Sequence, residues 1–200
     1  MTTTERGTTQ HSTTEHTTDE PTTREPAEAA ALTGERADLL EMLAKHRHFL
    51  RFTTRELTDE QAGLRTTASE LCLGGLIKHV TAVERGWRNF ILEGPSAMGD
   101  FTAMTEADWA QRADEFRMLP GDTLDAVLAD YTEAARLTDE LVATLPDLGV
   151  TQPLPKAPWF QAETEWSARR VLMHIMAETA QHAGHADIIR ESLDGAKSMG

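Results

Sequence analysis

Glu178 and His182 stand four residues apart within the run from Trp166 to Gly195, WSARRVLMHIMAETAQHAGHADIIRESLDG. At about 100° per residue this run reads as one long helix, with Val171, Leu172, Ile175, Thr179, Ala183, Ala186, Ile189 and Leu193 along its apolar stripe. Glu178 and His182 fall inside that stripe, about 40° apart around the axis and about 6 Å apart along it. An ionisable pair in an apolar stripe is costly unless something neutralises or coordinates it. A divalent cation would do both. The plainer alternative is a buried, hydrogen-bonded Glu–His pair. His174 and His185 flank the pair at the edge of the stripe, where supporting or solvent-facing roles suit them.

A third donor comes from far away in the chain. His79 lies in a second long apolar segment, expected as a helix from about Glu70 to Leu92, whose inward face takes Leu73, Leu76, Ile77, Val80, Val83, Trp87 and Phe90. Ser69 is expected to cap its start, and Gly94 and Pro95 to end it. Gly75 and Gly86 lie four residues before His79 and seven after it. Each costs a helix about 1 kcal/mol against Ala, so their alignment with a histidine points to a close approach to the backbone. A neighbouring helix is the structural reason for such an approach; a metal or ligand is the functional one. Cys72 can be read as a thiol nucleophile, but a lone cysteine in an apolar helix is usually a small buried hydrophobe.

The remaining elements must position these groups. A first helix is expected from Gly34 or Glu35 to about Leu57, with Leu39, Leu43, His46, Leu50 and Leu57 on one stripe and His48 turned away. His46 is thereby inward or at the rim, a pocket-lining candidate. Thr58, followed by Asp59, Glu60 and Gln61, has the form of a capping box, and Gly63 breaks the short turn it starts. Residues 95–122 make a long connection with a short helix around Glu106 to Phe116, anchored by Trp109 and Phe116. A third long helix opens at Asp122 or Thr123 and runs to about Leu145, where Pro146 stops it. Gly149 to Trp159, with Pro153, Pro155 and Pro158, reads as an irregular loop that sets Trp159 and Phe160 over one end of the molecule as a lid or wall. Nothing reads as a strand. The expected fold is all-α: a four-helix bundle with a long crossover.

Composition bounds the function. Two hundred residues with 40% hydrophobic content suit one domain with a full core. Residues 1–31 are Thr-rich with almost no large apolar side chain, and are expected to stay disordered, leaving 32–200 as the folded domain. His11 and His16 have no folded frame there. The net charge of −14 opposes binding to nucleic acid or anionic membranes. One cysteine makes no internal disulfide, no run suits a membrane span, and no secretory signal is evident, so a cytoplasmic protein is expected.

With LIKHV ending at Val80 and ETAQHAGHADIIRE ending at Glu191, the chain resembles the DinB-like superfamily of metal-binding four-helix bundles from about residue 35 to 195. Many members carry three histidines, whereas Glu178 stands at the first last-helix position here. That feature is similar to the mycothiol-dependent maleylpyruvate isomerase branch, in which a His, Glu, His triad holds zinc. The AGHADIIRE ending is more similar still to the actinobacterial mini-circle protein group. The resemblance implies His79, Glu178 and His182 as metal ligands, His185 and Arg190 as substrate-side or supporting residues, and a homodimer.

Two imidazoles and one carboxylate leave a coordination position open, the pattern of a catalytic site. The donors suit Zn, Ni and Fe alike. The function expected is a metal-dependent transferase that activates a low-molecular-weight thiol, mycothiol by resemblance, for attack on an electrophilic small molecule. Metal-dependent hydrolysis at the same triad and a non-catalytic dimeric bundle are the two alternatives.

Overall fold

A computed structural model describes residues 1–3, 32 and 34–198. The Thr-rich segment and its histidines otherwise lie outside the described residues. Four long helices build the domain: α1 (Glu35–Phe52), α3 (Leu73–Glu93), α5 (Leu124–Thr144) and α6 (Ala168–Asp194). Two short ones, α2 (Asp59–Ala62) and α4 (Glu106–Ala113), lie in the connections. The all-α bundle with a long crossover expected from the sequence is the fold observed.

Two apolar clusters show how the helices run. One joins the early turns of α1 and α6 to the late turns of α3 and α5, through Leu43, Phe90, Val142 and Ile175. The other joins the late turns of α1 and α6 to the early turns of α3 and α5, through Leu50, Ile77, Tyr131 and Ile189. The order is therefore up, down, down, up. α3 and α5 run parallel, which is why their connection must travel the length of the bundle before α5 can start.

Helix ends follow local chemistry, with some shifts from the sequence expectation. Thr58 makes the expected capping box with Gln61 at the start of α2. Thr123 caps α5 through Ala126 N–H, and Gly94 ends α3 in a positive-φ conformation. α1 stops five residues short of Leu57, because Thr53 and Thr54 turn back onto the last carbonyls of the helix. α3 begins at Leu73, not Glu70: Ser69 accepts from Leu71 N–H in a turn, and the extended Cys72 leads into the helix.

The expectation of no strand is corrected. β1 (Thr151–Pro153) pairs antiparallel with β2 (Glu165–Ser167), setting Gln152 against Trp166. The ladder has a purpose for α6, whose first N–H groups have no partner within the helix. Ala168 and Arg169 N–H donate to the carbonyls of Val150 and Leu148, both at 2.9 Å, and Ser167 Oγ accepts from Arg170 N–H. The long helix thus starts two residues after Trp166.

A second correction falls on α1. Arg47, not His46, is its inward polar residue: Arg47 is 4% exposed and His46 half-buried. The Arg47 guanidinium makes a two-pronged pair with Glu84 of α3, which is fully buried, and reaches Asp139 of α5 at 2.7 Å. This network ties three helices together.

Candidate metal centre

α3 and α6 pack directly against each other. Their contact places the rings of His79 and His182 4.8 Å apart between centroids, nearly edge-on at 79°. Glu178, one turn before His182, brings Oε2 to 3.6 Å from His182 Nε2. One donor atom from each of His79, Glu178 and His182 lies within 4.8 Å of the other two. Both histidines are buried, while the Glu178 side chain keeps 28% exposure and leaves the centre a route to solvent.

The donors present fit a divalent cation. His79 Nδ1 is buried and has no hydrogen-bond partner among the described residues, a costly condition that a ligand would relieve. A His, His, Glu set is a zinc-compatible donor set with an open position. Tetrahedral bonds of that type set donors about 3.3 Å apart, against separations of up to 4.8 Å here. The imidazole of His182, 3.6 Å away, with the nearby His174 and His79, holds the Glu178 carboxyl below the usual carboxylate range against the opposing effect of burial. Glu178 is therefore an anion ready to ligate.

The crossover supplies a wall. Phe116 stacks on His79 at 3.9 Å and 24°, and stands 6.4 Å from His182. Its backbone enters the space in front of Gly75: a Cβ there would overlap the Phe116 carbonyl and lie 2.7 Å from Arg117 N. The close approach expected at Gly75 is thus neither helix nor ligand but the crossover main chain. Lys78 fastens the same segment, donating to Arg117 O at 2.9 Å and to Asp122 Oδ2 at 2.6 Å. Glu115, beside Phe116, sets Oε2 3.6 Å from His79 Nδ1. Sequence reasoning missed Glu115, because a connection without periodicity gives no signal of what it faces.

The other candidates have separate places. His185 Nδ1 lies 3.4 Å from His182 Nδ1, so it supports the ring whose Nε2 faces Glu178. His174 Nε2 lies 3.6 Å from Glu178 Oε1, and burial pushes its pKa below the ordinary histidine value, which makes it a neutral neighbour. Arg190 is committed elsewhere: its buried guanidinium donates to the carbonyls of Thr53 and Arg55 at 2.8 and 2.7 Å and pairs with Asp194. It latches the end of α6 to the end of α1. Cys72 is buried, with Sγ 3.7 Å from Phe116 O.

No helix among the described residues is long and apolar enough to cross a membrane. No curated protein matches the chain. The family model described as mycothiol-S-transferase matches residues 38–195, which takes in all four long helices but the first three residues of α1. With a DinB-like bundle observed and the match spanning most of its length, this chain belongs to the mycothiol-S-transferase family.

Proposed function

We propose that the protein is a metal-dependent thiol S-transferase in which His79, Glu178 and His182 hold one divalent cation. Zinc is the simplest choice for these donors, and Ni and Fe are compatible with them. The observation that carries this reading is the gathering of three donors within 4.8 Å, from two helices, in a chain of this family.

A cation held there by His79, Glu178 and His182 would act as a Lewis acid and lower the pKa of a thiol that reached it. The chain's own residues prepare that position. His185 Nδ1 lies 3.4 Å from His182 Nδ1 and steadies the ring whose Nε2 faces Glu178. Phe116 covers the His79 ring and keeps water from one side. His174, held neutral by burial, adds no competing charge beside Glu178. In the reaction the thiol loses its proton to solvent, and its sulfur electron pair forms a bond to the electrophilic carbon. The leaving group departs with the electron pair of the bond that breaks.

The thiol is of the mycothiol type, and a cytoplasmic setting goes with it, since a low-molecular-weight thiol and Cys72 stay reduced there. Two copies associate, as the family resemblance implies; light scattering on the purified chain tests this. Incubating the zinc-loaded protein with mycothiol and monobromobimane, with products read by mass spectrometry, tests the activity. The expected result is S-conjugate formed faster than in the absence of enzyme. A product carrying water in place of thiol supports the hydrolase instead.

A further inference from the structure

A cleft beside the triad has chemistry of its own. It lies between α3 and the crossover, has a volume of about 170 Å³, and is walled by Trp87, Met98 and Phe101. Past Met98, Phe101 and Arg112 it adjoins a wider cleft of about 380 Å³ that shares those residues. Neighbours of the triad bound it on two sides. Glu115, in its lining, is 3.6 Å from His79 Nδ1. Trp87 lies 4.9 Å from the ring of His174, which in turn is 3.6 Å from Glu178.

Gly86 forms part of the lining, and a Cβ added to it would meet no atom of the described residues within 4 Å. A glycine inside a helix costs about 1 kcal/mol against Ala, and at Gly75 the crossover main chain supplies the reason. No protein neighbour supplies one at Gly86. Its bare backbone deepens the cleft.

The single cation of the cleft is Arg112, which lies over the Phe101 ring at 5.3 Å and pairs with no carboxylate among the described residues. The acidic groups nearby have other partners: Asp100 accepts from Thr102, Asp108 from Thr105, and Glu115 faces His79 Nδ1 at 3.6 Å. An unpaired guanidinium at the mouth of an aromatic slot recognises a planar anion, by bidentate hydrogen bonding and by the apolar contact beneath it.

We infer that this cleft receives the acceptor of the transfer, and that the acceptor is a flat, apolar electrophile bearing one carboxylate, which Arg112 binds while Trp87 and Phe101 hold the body. The word acceptor rests on the transferase reading; the preference of the cleft for such a molecule does not.

The test is calorimetric titration of 2-naphthoate and of its neutral counterpart 2-naphthamide into the zinc-loaded full-length chain, with no thiol present. The wild-type chain should prefer naphthoate by roughly tenfold. Arg112→Gln should erase that preference and leave naphthamide binding unchanged. Gly86→Leu should weaken both ligands alike by roughly tenfold, with unchanged zinc affinity by chelator competition and no fall in Tm. Absence of naphthoate binding to the wild-type chain, or unchanged binding in both variants, overturns the inference. Loss of the zinc site with intact naphthoate binding would instead count against the transferase reading and leave the cleft standing.

Discussion

The carbonyl of Phe116 occupies the space in which a side chain on Gly75 would begin. Through that one contact the crossover comes close enough to α3 for the Phe116 ring to stack on His79. A helix position and a metal-ligand candidate are thereby linked by a segment that belongs to neither helix.

Gly75 and Gly86 should respond oppositely to the same change. Gly75→Ala pushes the crossover main chain outward and should cost about 1–3 kcal/mol, the range for overpacking. Gly86→Ala meets no protein atom and should raise stability by up to about 1 kcal/mol, from helix propensity alone. Thermal melts of the two variants side by side check this. Equal shifts would show that the crossover does not press on α3.

The buried pair of Arg47 and Glu84 gives a second prediction. Glu84→Ala leaves a buried guanidinium with only the half-exposed Asp139 as partner, and should cost about 3–5 kcal/mol. Replacing both at once, Arg47→Met with Glu84→Leu, should recover most of that loss, because an apolar pair of similar volume removes the uncompensated charge. Denaturant titration of the two single variants and the double variant measures the coupling. Simple additivity would mean that the pair does not act as a unit.

The four long helices and the three candidate donors on α6 and α3 could be read from periodicity, because a 3.6-residue repeat fixes which face a side chain takes. Glu178 and His182 stood out as polar residues within an apolar stripe, and His79 as a histidine beside one. Arg47 was missed for a related reason: His46 is one residue away, and in a stripe this loose a rotation of one position decides which of them enters. The β1–β2 ladder left little local trace, since three residue pairs that include a proline exist to satisfy the first N–H groups of α6. Glu115 and Phe116 reach the site through chain closure over the length of the bundle, which no local pattern encodes. Arg190, given a substrate-side or supporting role by resemblance, satisfies carbonyls at the end of α1.

Acid should weaken the fastening of the crossover. The hydrogen bonds from Lys78 and from Leu119 N–H hold the Asp122 carboxyl below its ordinary value. A depressed carboxyl stabilises the fold fully above its unfolded pKa, about 3.9, and loses that contribution as pH falls through the folded value. Asp122→Asn should therefore lower Tm at pH 7, and the gap from wild type should close as pH drops below about 4. A gap that stays constant down to pH 2 would assign the effect to packing.

His185 should matter to the metal without being needed for the fold. Its Nδ1 is 3.4 Å from Nδ1 of the candidate ligand His182. His185→Ala should weaken zinc binding by about 10- to 100-fold while leaving the far-ultraviolet circular dichroism of the unloaded protein unchanged. Chelator competition reads the affinity, and an unchanged value would remove His185 from the centre.

The most direct measurement is elemental analysis of the untagged protein, together with His79→Ala and His182→Ala purified in parallel. The predicted result is about one equivalent of a divalent metal per wild-type chain, with neither variant retaining a stoichiometric amount. Wild-type protein that holds no metal when supplied with zinc, or variants that hold as much as wild type, would contradict the centre on which the account depends.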